Sequence, residues 1–131
     1  MEHTISSGLK ITFLIHFILG AAFGLVYLLI PEVYGDLIGW EVTEPIMHRI
    51  IGAALIGISI SSLLAFKTPL WSNVRIIVIM EICWTVLASL VMLWGMLFAS
   101  LPSMGWMNTG FMIIFAVLFV LYFFKEKGRV N

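Results

Sequence analysis

The chain has 131 residues, of which 62% are hydrophobic and 11% are charged, and its mean hydropathy is +1.12. Soluble domains are about 45–50% apolar and about 25% charged, so this composition excludes an ordinary water-soluble domain. Seven basic and seven acidic residues give a formal net charge of zero. They form no basic stripe of the kind that binds nucleic acid.

Four long apolar segments account for most of the chain, near residues 8–30, 46–66, 72–98 and 103–124. Each is long enough to cross a hydrocarbon core of about 30 Å as a helix. We therefore predict an all-α membrane protein, an antiparallel four-transmembrane-helix bundle that forms a single domain over residues 1–131. The loop 31–45 carries Tyr and Trp side chains, which favour the membrane interface, so we predict that it lies there.

The basic residues are sorted to one end of this predicted bundle. Six of the seven fall at the N-terminus, in the 66–75 turn or at the C-terminus, which four spans place on one side. The opposite side holds four acidic residues in the 31–45 loop, and Arg49 is its one basic residue. By the positive-inside rule we expect a multi-pass protein of the cell (inner or plasma) membrane with both termini in the cytoplasm.

Three segments carry small or polar residues at intervals of four, and each such row forms one slowly winding helix face. The rows are His16, Gly20 and Gly24; Arg49, Ala53, Gly57, Ser61 and Ala65; and Glu81, Thr85 and Ser89. Small residues at this spacing let helix backbones approach closely, which predicts helix-packing positions in the first two rows. The predicted helix-packing positions are Gly20, Gly24, Ala53, Gly57 and Ser61.

Glu81 is the residue most in need of a partner, because a lone ionised carboxylate in lipid is unfavourable by several kcal/mol. Counting from the segment starts places Glu81 about 14 Å and His16 about 12 Å into the membrane. Arg49 enters from the opposite side, and its long stem can snorkel outward or point toward Glu81. The partner of Glu81 therefore stays open between Arg49 and His16. Its role stays open between a structural pair and a carboxylate that binds a proton or a ligand.

These polar residues predict a site inside the membrane. Trp84 lies beside Glu81 and either packs in the core or forms a flat wall of a ligand cavity. The candidate ligand-binding residues are Glu81, Arg49, His16, Trp84, Thr85 and Asn108. We predict no catalytic residue, metal site or cofactor, because one histidine at membrane depth makes no metal site and the common catalytic and nucleotide-binding motifs are lacking. The sequence therefore does not favour an enzyme as the interpretation.

The run from Arg49 to Gly57 (RIIGAALIG) resembles the Arg-x-x-Gly…Gly opening of a helix in small four-helix membrane proteins of the DoxX-like kind. Trp71, Arg75, Glu81 and Trp84 add to a resemblance to uncharacterised prokaryotic members. The resemblance implies a four-helix membrane fold over the whole chain. Some members of that group are associated with quinone-linked respiration, so the resemblance also implies a quinone-like molecule as one candidate ligand. No cofactor residue of the family carries over to this sequence.

The leading functional hypothesis is a polytopic membrane protein that binds a small amphipathic or lipidic ligand, or a partner helix, in a polar intramembrane cavity. The first alternative is a proton-coupled small-molecule transporter in which Glu81 carries the proton. The second is a structural subunit of a membrane complex. The expected partners are the lipid bilayer and a lipidic ligand, without nucleic acid, and assembly into a homo-oligomer stays open.

Overall fold

A computed structural model describes residues 2–129. They form five helices: α1 (Ser7–Leu29), α2 (Pro31–Ile38), α3 (Pro45–Lys67), α4 (Trp71–Phe98) and α5 (Gly105–Gly128). All except α2 are long and apolar enough to cross a membrane. The predicted all-α bundle with four spans is therefore confirmed. In this part of the chain the one extended pairing is an isolated bridge between Thr4 and Leu70.

The helix ends follow from local chemistry. The Ser6 side chain caps α1 by accepting a hydrogen bond from the Leu9 amide at 3.4 Å. Pro31 cannot continue the hydrogen-bond ladder of α1, and it instead opens α2 at the first helical position, where its missing N–H is not needed. Gly39 ends α2 in the left-handed conformation with φ 73°, which glycine adopts without steric cost. The predicted interfacial loop thus contains a short helix.

The spans form two closely packed pairs, α1 with α3 and α4 with α5, and the two pairs approach each other at fewer backbone positions. Gly24 and Gly52 allow the close approach within the first pair. A Cβ on Gly52 would lie 2.7 Å from the Gly24 carbonyl oxygen and 2.6 Å from the Leu28 amide nitrogen. These two glycines therefore set the separation of α1 and α3, because a side chain on Gly52 would meet backbone atoms.

The predicted packing row on α3 needs correction. Ala53 and Gly57 are exposed on the outside of the bundle, and a Cβ on Gly57 would meet no described atom within 4 Å. Ser61 is half-buried, and its hydroxyl donates to the Ile58 carbonyl within the same helix at 2.7 Å. The buried face of α3 consists instead of Gly52, Ser59, Ser62 and Ala65.

On α1 the predicted packing positions do contact α3. Gly24 is buried against Ile56 and the backbone of Gly52. Gly20 faces Ser59, and a Cβ added to Gly20 would collide with the Ser59 hydroxyl oxygen. The α1 row therefore forms part of the seam between the first two spans.

The apolar core fills the half of the bundle that contains the chain termini and the α3–α4 turn, which we call the basic end. Its largest fully buried members include Leu9, Phe13, Val74, Val78 and Phe119. The other half, toward α2 and the α4–α5 turn, is the acidic end. The two halves differ in packing, because side chains fill the basic half whereas the acidic half contains a cavity.

The segment 2–6 ties the basic end together. The amide of Ile5 donates to the Pro69 carbonyl at 2.8 Å, which fastens the segment to the α3–α4 turn. Glu126, fully buried near the end of α5, accepts from the Ser6 amide at 2.8 Å and contacts His3 and Arg129 at 2.9 Å each. The first and last parts of the described chain are thus joined around one carboxylate.

Candidate functional site

A cavity of about 160 Å³ lies between the two helix pairs in the acidic half of the bundle, partly open to its surroundings. All four spans and the residue Trp40, which follows α2, contribute to its walls. The described residues that line it include no Asp, Glu, Lys or Arg. Six of the lining residues carry aromatic rings that could stack against a flat ligand. These are Phe23, Tyr27, Trp40, Trp84, Phe111 and Phe115.

His16 lies at the inner end of this cavity, next to the phenyl rings of the apolar core. Its imidazole is held edge-on between two rings of α5, with centroids 4.7 Å from Phe115 and 5.4 Å from Phe119. The side chain is only 5% exposed. The ring is therefore fixed in orientation, and it separates the apolar core from the cavity.

His16 connects the cavity to Glu81 through a serine. The Nδ1 atom of His16 lies 2.9 Å from the Ser62 hydroxyl oxygen, and that hydroxyl donates to Glu81 Oε1 at 2.5 Å. The second carboxylate oxygen, Oε2, lies 3.5 Å from His16 Nδ1. Both Glu81 and Ser62 are fully buried. Of the two partners considered for Glu81, His16 is the one that it meets.

Ser62 is the functional residue that sequence reasoning missed. It is neither ionisable nor part of the four-residue row on α3, so its bridging position has no strong sequence signal. A weaker signal is present, because Gly52, Ser59 and Ser62 follow the mixed spacing of seven and three that keeps small residues on one buried face. That pattern predicts a seam, and it does not by itself predict which serine meets the carboxylate.

Arg49 lies away from the cavity, at the acidic end of the bundle. Its guanidinium donates to the Leu28 carbonyl at 2.7 Å, which satisfies a free backbone acceptor in the last turn of α1. It also pairs with Glu32 of α2 at 3.2 Å. The pKa of Glu32 is held below its ordinary value, first by a backbone hydrogen bond and then by Arg49. Of the two orientations considered, Arg49 therefore points outward, where it links α1, α2 and α3.

The remaining predicted site residues divide between the cavity and the helix interior. Trp84 and Asn108 line the cavity, Trp84 from α4, three residues after Glu81, and Asn108 from the first turn of α5 at the acidic end. The indole Nε1 of Trp84 is buried, and no atom of residues 2–129 accepts a hydrogen bond from it. Thr85 is fully buried and donates to the Glu81 carbonyl at 2.6 Å within α4, so its hydroxyl is already satisfied.

The arrangement combines an apolar aromatic cavity with one polar chain that ends at its inner wall. Such a cavity can hold a neutral or amphipathic molecule, because its walls are apolar and a few polar groups fix orientation. Among residues 2–129 no three His, Cys, Asp or Glu side chains are grouped as metal ligands. The side chains of His16, Ser62 and Glu81 offer hydrogen bonding and proton binding at this site.

No family model, curated protein or solved structure matches this chain.

Proposed function

We propose that this polytopic membrane protein binds a small amphipathic or lipidic molecule in the cavity between its two helix pairs. The observation that carries the proposal is the cavity itself, about 160 Å³ in volume, walled by aromatic rings and ended by His16. A cavity of roughly 150 Å³ with apolar walls is large enough to admit benzene. A ring-sized head group therefore fits, with an apolar tail extending toward the lipid.

The size of the cavity favours a small molecule over a partner helix. A helix is about 10–12 Å across with its side chains, and a single turn would exceed this space. A one-ring head group, including the quinone-like ligand that the DoxX-like resemblance implies, is compatible with it. Membership of that group is itself part of this proposal, which rests on the four-span layout and on the residues between Arg49 and Gly57.

The proposal is tested by native mass spectrometry and an absorbance spectrum of protein extracted in a mild detergent. Ala88 lines the cavity on α4, so Ala88→Phe should fill it and remove a co-purifying molecule. Ala53→Phe is the matched control, because Ala53 is exposed outside the bundle. A bound molecule that survives Ala88→Phe, or that is lost equally from Ala53→Phe, would show that this cavity is not its site.

A proton-coupled transporter is the second candidate, favoured by the contact of His16 with both the cavity and the Ser62–Glu81 pair. In such a protein a membrane carboxylate exchanges protons during transport. Glu81→Gln should then abolish flux driven by a pH gradient across proteoliposomes, while the variant still binds its ligand. Flux that is unchanged by this substitution would exclude the carboxylate as the coupling site.

We also propose that the basic end faces the cytoplasm in the cell membrane. Support comes from the sorting of charge, since Lys10, Lys67 and Lys125 all belong to segments that meet at this end. Reporter fusions at residue 129 and in the α2–α3 loop would test the orientation. A cytoplasmic reporter active in the loop and inactive at the C-terminus would reverse it.

A further inference from the structure

We infer that His16 Nε2 is the polar contact for the ligand, and that the number of protons shared by His16 and Glu81 decides whether this nitrogen can donate a hydrogen bond. This inference rests on the proposed function, because it concerns the same cavity. It also names a ligand class, a neutral molecule that presents one oxygen atom to the inner end of the cavity. Carbonyl and hydroxyl oxygens are the two forms that the site distinguishes.

The first step is the direction of the hydrogen bonds. A serine hydroxyl has one proton to donate, and an ionised carboxylate can only accept. When Glu81 is ionised, the Ser62 proton points to Glu81 Oε1, which lies 2.5 Å away. The contact of 2.9 Å between Ser62 and His16 then requires a proton on Nδ1. A neutral His16 ring in this state has no proton on Nε2, which is an acceptor.

The second step adds one proton to the pair. If the proton lies on Glu81, the carboxyl group can donate to Ser62, and Ser62 is then free to donate to Nδ1. The neutral ring then carries its proton on Nε2. If the added proton lies on His16 instead, the ring is an imidazolium and both nitrogens are donors. In either arrangement Nε2 can donate, so the proton count matters and the location of the proton does not.

The third step is the surroundings of the pair, which isolate it from other titratable groups. The α3 contribution is Ser62, and α5 presents the phenyl rings of Phe115 and Phe119 to the imidazole. Within residues 2–129 the ion-pair contact of Glu81 is to His16 alone. Tyr27 is the one further titratable group on the cavity wall in this range, and it lies more than two turns along α1 toward the acidic end.

The consequence for binding is a difference between two oxygen types. A ketone oxygen can only accept, so it is matched to Nε2 in the proton-rich state and faces a lone pair in the proton-poor state. A hydroxyl group can donate or accept, so it is matched in both. An unmatched polar contact in a buried site weakens binding by about tenfold. The cavity should therefore release a carbonyl ligand when the pair loses its proton, while it retains the alcohol.

Acetophenone and 1-phenylethanol are suitable probes, because they share one skeleton, neither ionises between about pH 5 and about pH 9, and each carries a single ring. Their affinities for the full-length protein in one detergent are measured by calorimetry across that range. We expect acetophenone to bind about tenfold more weakly at the alkaline end, and 1-phenylethanol to change little.

In Glu81→Gln the amide can donate or accept toward Ser62, so the ring tautomer follows the ligand. Acetophenone affinity should then equal that of the proton-rich wild type at every pH. His16→Gln should also give a preference between the two probes that does not change with pH. This variant replaces Glu81→Gln in the test if Glu81→Gln fails to fold. Ser89→Ala is the matched control, because Ser89 donates only within α4, to the Thr85 carbonyl at 2.7 Å. It should retain the wild-type pH dependence.

The outcomes separate this inference from the proposed function. If both probes bind to a site blocked by Ala88→Phe with a preference that is constant with pH, the cavity is a binding site and the inference is wrong. A pH-dependent preference that persists in Glu81→Gln also overturns it. If neither probe binds the wild-type protein at any pH, the proposed one-ring site itself fails, and the inference fails with it.

Discussion

Gly52 is the position at which the smallest substitution should separate the first two spans. An alanine Cβ there would lie 2.6 Å from the Leu28 amide nitrogen, 2.7 Å from the Gly24 carbonyl oxygen and 2.9 Å from the Tyr27 carbonyl carbon. All three are backbone atoms, which cannot rotate away as a side chain can. Restoring an ordinary separation of about 3.5 Å to the nearest of them requires α1 to move outward by about 0.9 Å.

Moving α1 outward by this distance opens a gap at the neighbouring contacts between α1 and α3. These contacts then lose about a quarter to a half of their dispersion energy. Overpacking a well-packed interior costs about 1–3 kcal/mol, and the obstructing backbone places Gly52→Ala near the upper end, at about 3 kcal/mol. Gly57→Ala is the matched control on the same helix, since its added Cβ meets no described atom within 4 Å. It should leave the free energy of unfolding unchanged or raise it by up to about 1 kcal/mol through helix propensity.

The assay is SDS-induced unfolding of the purified protein in mixed micelles, followed by far-ultraviolet circular dichroism and tryptophan fluorescence. The wild type and the two alanine variants are compared at the same mole fraction of SDS. A Gly52→Ala variant as stable as the wild type would refute the close approach of α1 and α3. Equal destabilisation by both substitutions would show that the outer face of α3 is also a packing surface, for example between copies of the chain.

Three further substitutions test the polar contacts. Arg49→Gln should lower the free energy of unfolding by at most about 1 kcal/mol, because its pair with Glu32 is partly exposed. NMR titration should show that the lowered pKa of Glu32 rises in this variant, and an unchanged pKa would contradict the pairing. In the wild type the contribution of Glu32 to stability is present at neutral pH and is lost as the pH falls through that lowered pKa. His16→Phe should cost about 1–3 kcal/mol in SDS unfolding, because it leaves Ser62 and Glu81 without their polar neighbour, and full stability would argue against that contact. Glu126→Gln should speed amide hydrogen exchange in residues 2–6 by about tenfold or more, since charged hydrogen bonds become neutral ones, and unchanged exchange would show that the segment is held by other contacts.

The four spans could be predicted from the sequence because hydropathy over about 20 residues is a strong and local signal. The common depth of His16 and Glu81 also followed from the fixed rise of a helix, and the structure places them 3.5 Å apart. The direction of the Arg49 side chain could not be predicted from the sequence, since this long side chain can reach either outward or toward Glu81. Its outward orientation depends on the position of Glu32, which belongs to a helix that the sequence indicated only as an interfacial segment.

The packing face of α3 was misplaced for a geometric reason. A row with a step of four residues winds by about 40° per step, so the row from Arg49 to Ala65 crosses the exposed side of α3 and reaches the buried face only at Ala65. The buried positions follow a spacing of seven and three, from Gly52 through Ser59 and Ser62. The sequence predicted a polar intramembrane cavity, whereas the walls of the observed one are mostly apolar. Its aromatic lining and its volume could not be predicted, because they depend on how far apart the two helix pairs lie. That distance is set by the summed packing of many side chains, and no single motif encodes it.

The contacts of Glu126 have a consequence for how the protein is made. The Ser6 amide and the His3 ring meet a carboxylate 120 and 123 residues further along the chain. Chains emerge from the ribosome with the N-terminus first, so α1 enters the membrane long before this partner exists. The contacts of residues 2–6 with α5 therefore form late in biogenesis, after α3 and the α3–α4 turn, to which the same segment is hydrogen-bonded, have been made. A chain that stops before α5 thus keeps the hydrogen bond from Ile5 to Pro69 and lacks the one from Ser6 to Glu126.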